Sequence, residues 1–409
     1  MAAKHRRPGS KGARVAGAAL AAVTVSAVAA ATLVVVNRYW TASSDATTTS
    51  PPASRQTVPA SNASASSTSA SSAATPSAAQ TPVPLHLVRT TPDGATRVSG
   101  AEPIVVTFDE PVAADTTLPT LSPATPGRWS QPTPTTLRFA PAAPFVPDTK
   151  VTVTLPTGMR AANGGLLAAT ASVSYQVADG SLLRLQQLLA ELDYLPVRFT
   201  PSLPETNTAR AQGEMAFDPP MGDFTMRFPS TPQPLAALWR PGELDTLTTG
   251  AVMAFENTHG LAVDGDAGPA VWSALLNDAL DHTVDPHPYT WAWTTMTHPE
   301  TLRIWSDGQF VFSSKANTGI AAAPTPKGSW PVFARYRSQT MQGTNPDGTK
   351  YVDPGVPYIS YFHNGDAIHG FKRASYGSEQ SLGCVELPYD AAAQVWNLID
   401  YGTVVTVTS

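Results

Sequence analysis

The chain has 409 residues, 26 of them Lys or Arg against 31 Asp or Glu, and a net charge of −5. With 14% of residues charged and no overall basic excess, the composition gives no sign of a nucleic-acid partner. Its length implies roughly two to four domains, and its 39 prolines favour linkers and β-rich pieces over long helices.

Residues 1–14 carry Lys4, Arg6, Arg7, Lys11 and Arg14 without an acid and read as a basic cytoplasmic segment. Within 15–37, the uncharged Ala- and Val-rich run from Val15 to Val36 is long enough, at about 20 residues, to cross a bilayer as a transmembrane helix. The basic flank places the N-terminus in the cytoplasm, and Arg38, Tyr39 and Trp40 suit a membrane interface. The alternative is a cleaved signal peptide with Ala29-Ala30-Ala31 as its cleavage site, giving a secreted product. Either reading places the remainder outside the cytoplasm. Residues 41–84 are almost wholly Ser, Thr, Ala and Pro and cannot bury enough apolar surface to fold. They form a disordered linker whose r.m.s. reach is roughly 35–40 Å.

Residues 85–178 alternate apolar and polar side chains over 103–108, 136–139, 151–155 and 172–177, with Pro- and Gly-rich turns between. That pattern predicts a β-sandwich. The stretches FDEPV and GRWSQPTPTTLRFAPAAPFVPDTKVTVTL resemble a bacterial Ig-like domain, which implies a spacer or docking role. Residues 179–283 differ: leucines at 182, 183, 185, 188, 189 and 192 keep helical spacing. A second amphipathic helix follows near Thr249–Phe255, and a turn-rich loop leads into Ala270–Leu276. LQQLLAELDY, AVMAFENTHGL and VDGDAGPAVWSALL resemble the three-helix peptidoglycan-binding module, interrupted by an insertion at about 196–245 that reads as a flap or a β-hairpin. Asp264 and Asp266 have too few oxygens at the right spacing to hold calcium, so no metal and no cofactor are expected.

From 287 to 409 the pattern is β-rich. Ser306-Asp307-Gly308 between two apolar runs is a hairpin signal. Tyr358–His363 reads as a strand, Asn364-Gly365-Asp366 as its turn and Ala367–His369 as the returning strand. A short helix over 389–399 and a closing strand over 402–407 complete the segment. Cys384, the single cysteine of the chain, lies in Ser381-Leu382-Gly383-Cys384, fifteen positions after His369 (384 − 369). Outside the cytoplasm structural cysteines come in pairs, so an unpaired one beside a glycine-led turn, with a histidine upstream, is a candidate nucleophile. An imidazole that takes its proton makes the thiol a strong nucleophile. Glycine before it lets the backbone approach a substrate and present an amide to an oxyanion. His363 competes with His369 for the role of base, but more naturally pairs locally on its strand.

The segment resembles the YkuD-type L,D-transpeptidases of the bacterial cell wall. The matching residues are Thr318-Gly319, Pro324–Val332, His369-Gly370 and Ser381–Glu386. Taken with the segments before it, this gives a multidomain, mainly β protein: a transmembrane helix, an Ig-like sandwich, a small helical peptidoglycan-binding-like domain and a β-rich catalytic domain facing the wall. The resemblance itself bears on the catalytic domain. It implies Cys384 as nucleophile, His369 as general base and acid, the amides of Gly383 and Cys384 in the oxyanion hole, and Gly370 orienting His369 through its backbone. The substrate would be a peptidoglycan stem peptide and its glycan. Acylation by a tetrapeptide would release D-Ala before transfer to an amine of a second stem, and a carbapenem adduct is expected. Two positions depart from the pattern: Leu382 replaces a histidine, and Glu386 stands where arginine or asparagine is usual. Lys372 and Arg373 are then candidates for the donor's anionic groups, with Ser381, Tyr361 and Tyr376 as further contacts. A wall-binding scaffold without activity, and an L,D-carboxypeptidase using water, are the alternatives.

Overall fold

The computed structural model describes residues 82–92, 94 and 97–409. The basic segment, the expected membrane span and nearly all of the linker lie outside the described residues. Among the described residues no helix is long and apolar enough to cross a membrane.

The first part is a two-sheet sandwich. Strands β1 (Leu87–Thr91), β2 (Ile104–Phe108), β3 (Thr120–Ser122), β4 (Gly127–Thr133), β5 (Thr136–Pro141), β6 (Lys150–Leu155) and β7 (Ala171–Gln176) form sheets of order β1-β2-β5-β4 and β3-β6-β7. Period-two alternation turns Ile104, Val106, Phe108, Leu137, Phe139, Val151 and Val153 into the core. Burying each large apolar side chain in this way contributes about 1.5–3 kcal/mol. The strands without a sequence signal, β1, β3 and β4, are sheet edges, where one flank needs no partner and exposure disrupts the alternation.

The helical part begins with α1 (Leu182–Glu191), whose first turn is capped by Ser181 accepting from the Arg184 N–H. The insertion is more than a flap. Strand β8 (Val197–Pro201) pairs antiparallel with β9 (Gly222–Met226) around α2 (Ala209–Met215), and α3 (Gln233–Ala236) follows. Phe199, Phe224 and Trp239 pack in sequence, one pair tilted and the next edge to face, at 5.1 Å between neighbouring ring centroids, and knit this excursion to the helices. Helix α4 (Thr246–Thr258) is capped by Asp245, which accepts from the Thr248 N–H at 2.7 Å, and α5 (Pro269–Asp281) starts on a proline.

The last part contains β10 (Thr290–Thr295), β11 (Thr301–Ser306), β12 (Gln309–Lys315), β13 (Gly328–Pro331), β14 (Ala334–Thr344), β15 (Lys350–His363), β16 (Asp366–Gly370), β17 (Val385–Leu387), α6 (Tyr389–Leu398) and β18 (Val404–Thr408). The Asp307-Gly308 turn joining β11 to β12 has positive φ at both residues, 41° and 94°, as a tight hairpin requires. The strands make a five-stranded sheet, β12-β11-β10-β18-β13, and a four-stranded one, β14-β15-β16-β17. Ala292, Ile304, Phe362, Ile368, Val385 and Val405 fill the core that these sheets share with α6. The boundary between the helical and β-rich parts is not a break in packing. Trp291, Trp305 and Val404 belong to the same buried cluster as Leu188, Phe255 and Trp272. Helix α4 lies backbone against backbone on the turn before β18: a Cβ on Gly402 would stand 2.1 Å from the Gly250 carbonyl oxygen.

Candidate active site

Strand parity assembles the site. On β16, Ile368 faces the inter-sheet core, so Ala367 and His369 face the opposite side. On β17, Val385 faces the core, so Cys384, just ahead of the strand, and Glu386 share the side of His369. The two strands are parallel neighbours with Ile368 opposite Val385 and His369 opposite Glu386. Cys384 and His369 therefore arrive on one wall of a cavity of about 450 Å³.

The turn carrying Cys384 is held from beneath. The Ser381 hydroxyl donates to the Cys384 carbonyl at 2.6 Å and accepts from the Gly383 N–H at 3.2 Å. The Ser381 N–H donates to the Thr318 carbonyl at 2.9 Å, and the Ile320 N–H to the Ser381 carbonyl at 2.9 Å. Thr318 is itself gripped by the fully buried Glu300, whose two oxygens accept from its N–H and its hydroxyl, each at 2.8 Å. Burial raises the Glu300 carboxyl above its ordinary range, with the Thr318 bonds opposing. Asn317, also fully buried, exchanges backbone hydrogen bonds with Glu386 at 2.9 Å and accepts from the Gly377 N–H on Oδ1 at 2.9 Å. It ties the loop over 371–380 to β17. Gly383 sits at φ +121°, and a Cβ there would come within 2.2 Å of Asp366 Oδ1, so only glycine fits.

His369 is 3% exposed. Its Nδ1 lies 3.1 Å from the Gly370 carbonyl oxygen, which fixes the proton on Nδ1 and leaves Nε2 as the acceptor. Burial pushes the imidazole below its ordinary 6.5, the Gly370 bond and Glu386 opposing. Cys384 is only partly buried, yet burial pushes its thiol up to about 12. The Ala367 N–H opposes that rise, and the charges of Asp366 and Glu386 add to it. The resting pair is thus neutral thiol and neutral imidazole. His363 does pair locally, its Nδ1 3.0 Å from Asp366 Oδ2 and its ring 4.5 Å from that of Trp330.

Several expected contacts need correction. The Gly383 N–H is taken by the Ser381 hydroxyl and is not presented to a substrate. Among the described residues the Cys384 amide has no such acceptor. Arg373 lines the cavity but is not free: its Nε and Nη2 each donate at 2.7 Å to a different oxygen of Glu386, and Nη2 also donates to the Gln380 carbonyl at 3.0 Å. The glutamate that replaces the usual residue carries its own counter-ion. Lys372 is exposed and outside the cavity wall. Tyr376 turns into its own loop, donating to the Phe371 carbonyl at 2.6 Å and accepting from the Arg373 N–H at 3.1 Å. Tyr361 packs in the small apolar patch with Ala367 and Cys384, its hydroxyl donating to Gln339 at 3.2 Å.

No local pattern marks the overhanging wall. Met341 of β14 and Tyr351 and Asp353 of β15 line the cavity from the outer arm of their hairpin. Lys350–Val356 holds a Pro-Gly pair and reads as a turn, which hides the strand. One trio of ionisable groups, His298, Glu300 and Glu379, is close enough among the described residues to share an ion. Both Glu300 oxygens are already engaged by Thr318, and His298 Nε2 lies 2.8 Å from Glu379, so the trio buttresses the Thr318 turn.

Three family models match parts of the chain: an L,D-transpeptidase catalytic domain over residues 293–407, a bacterial Ig-like domain over 79–177 and a peptidoglycan binding domain over 238–275. No curated protein matches. Among solved structures, an L,D-transpeptidase from Mycobacterium smegmatis aligns at 13% identity over 80% of this chain and 100% of its own, with a TM-score of 0.27. L,D-transpeptidase 3 from Mycobacterium tuberculosis, solved with a faropenem-derived adduct, aligns at 14% identity over 79% of this chain and 98% of its own, TM-score 0.28. The catalytic domain of the E. faecium L,D-transpeptidase aligns at 26% identity over 29% of this chain and 95% of its own, TM-score 0.27.

Proposed function

We propose that the chain is a peptidoglycan L,D-transpeptidase that works through an acyl-enzyme on Cys384. The observation that carries this is that Cys384 and His369 line one cavity, with the imidazole tautomer set by the Gly370 carbonyl. The family match over 293–407 supplies the reaction class and the substrate polymer.

In the first half-reaction His369 Nε2 takes the thiol proton as Sγ attacks the carbonyl of the bond between an L-centre and D-Ala. The tetrahedral oxyanion meets the Cys384 amide. Collapse breaks the C–N bond, His369 returns the proton to the leaving D-Ala amine, and a thioester remains. In the second half-reaction an amine of another stem attacks the thioester, His369 removes its proton, and the thiol is regenerated as the new amide forms. A thiol held neutral does not prevent this, because the proton moves as the bond forms. In this reading the helical and Ig-like parts hold the enzyme to the wall, and the N-terminal apolar run anchors it in the membrane with its catalytic part outside.

Intact mass after incubation with a carbapenem tests the reading. A single adduct on the unaltered chain and none on Cys384→Ala is expected. No adduct on a folded protein favours the inactive scaffold, which Leu382 and the raised thiol pKa would then explain.

A further inference from the structure

The charged side chains on the cavity wall are Asp353, Asp366, Arg373 and Glu386, with His369 neutral. Three are committed. Arg373 and Glu386 neutralise each other through two 2.7 Å bonds. Asp366 gives one oxygen to His363 at 3.0 Å and rests the other against Gly383. The Asp353 carboxylate makes no hydrogen bond or ion pair among the described residues. It stands on β15 in register with Met341, two residues from Tyr351, and all three line the cavity. Asp353 shares that lining with His369 and Cys384.

A carboxylate left without a partner beside a thioester site repels anionic groups and attracts a cation. The cations the reaction brings are the side-chain ammonium groups of the stems, and the acceptor's is the one that must reach the thioester. Resting on the transpeptidase reading, we infer that Asp353 is a specificity-determining residue that binds the acceptor's primary ammonium group, so that the second substrate is an amine-bearing stem rather than water. The bound ammonium releases one proton to solvent. The amine nitrogen then attacks the thioester carbonyl, the C–S bond breaks, and a second proton passes through His369 Nε2 to the Cys384 thiolate. The products are an amide and the free thiol.

The test uses the full chain and separates the two half-reactions. The donor is a disaccharide-tetrapeptide acetylated on its side-chain amine, so that it cannot act as acceptor. The acceptor is a stem tripeptide with that amine free. Asp353→Asn is expected to raise the acceptor KM about tenfold more than it slows acylation by a carbapenem. Asp347→Asn, which alters the exposed turn of the same hairpin, leaves both unchanged. Equal losses in both half-reactions would show a structural role and overturn the inference, as would an unchanged acceptor KM. If the unaltered chain forms no adduct and releases no D-Ala, the transpeptidase reading fails and takes this inference with it.

Discussion

The two walls of the cavity are built on opposite principles. The wall carrying Cys384 and His369 belongs to β16 and β17, backed by the inter-sheet core and by Glu300, Asn317 and Ser381, all buried. The overhanging wall is the outer arm of the β14–β15 hairpin, where residues are mostly exposed and pair only with each other. A side chain on the first wall has its rotamer dictated by packing and hydrogen bonds. One on the second is free to differ without disturbing the core. On the proposed reading, the chemistry sits where geometry is enforced, and the choice of partner sits where it is not.

If this contrast is right, changes on the buried wall cost most. His369→Gln is expected to slow acylation by about 10²–10⁴-fold while leaving the melting temperature within a few degrees, checked by adduct formation over time and by thermal unfolding. A smaller change comes from pH alone. With the thiol near 12, alkylation of the free protein by iodoacetamide should climb about tenfold per pH unit from about pH 7 to pH 9, without a plateau. The sign follows from the raised value: the thiolate is the minor form throughout that range. A plateau between about pH 5 and pH 7 would mean a thiolate–imidazolium pair and would contradict the neutral resting state. Glu300→Gln sharpens the contrast further. The Gln oxygen can still accept from the Thr318 N–H, but its NH₂ must donate to the Thr318 hydroxyl, so two bonds to a carboxylate become two neutral amide bonds at a cost of about 1 kcal/mol. The variant should melt several degrees lower and acylate more slowly, although it touches no substrate.

Much of the buried wall was legible in the sequence because its signals are short-range. His369-Gly370 and Ser381–Cys384 each announce a strand end or a turn within a few residues. The alternation of β2, β5, β6 and β7 marked the sandwich for the same reason. What holds those pieces was not legible. Glu300 grips Thr318 across 18 positions, and the Arg373–Glu386 pair joins residues 13 apart through a loop whose path only the fold defines. The resemblance also implied the Gly383 amide in the oxyanion hole, but the Ser381 hydroxyl two residues earlier takes that N–H. Trp291 and Trp305, on strands of the β-rich segment, pack into the cluster of the helical part, which no local pattern announces. A residue's strand can be read from its neighbours, but not which face will be covered, or by what.

The most direct test of the account is the fate of a native donor. The full chain is mixed with disaccharide-tetrapeptide, quenched in acid within seconds, and the peptide containing Cys384 is weighed while free D-Ala is counted. The account predicts one thioester on Cys384 for each D-Ala released in the first turnover, and neither in Cys384→Ala. D-Ala release that persists in Cys384→Ala, or a folded chain that releases none, would contradict it.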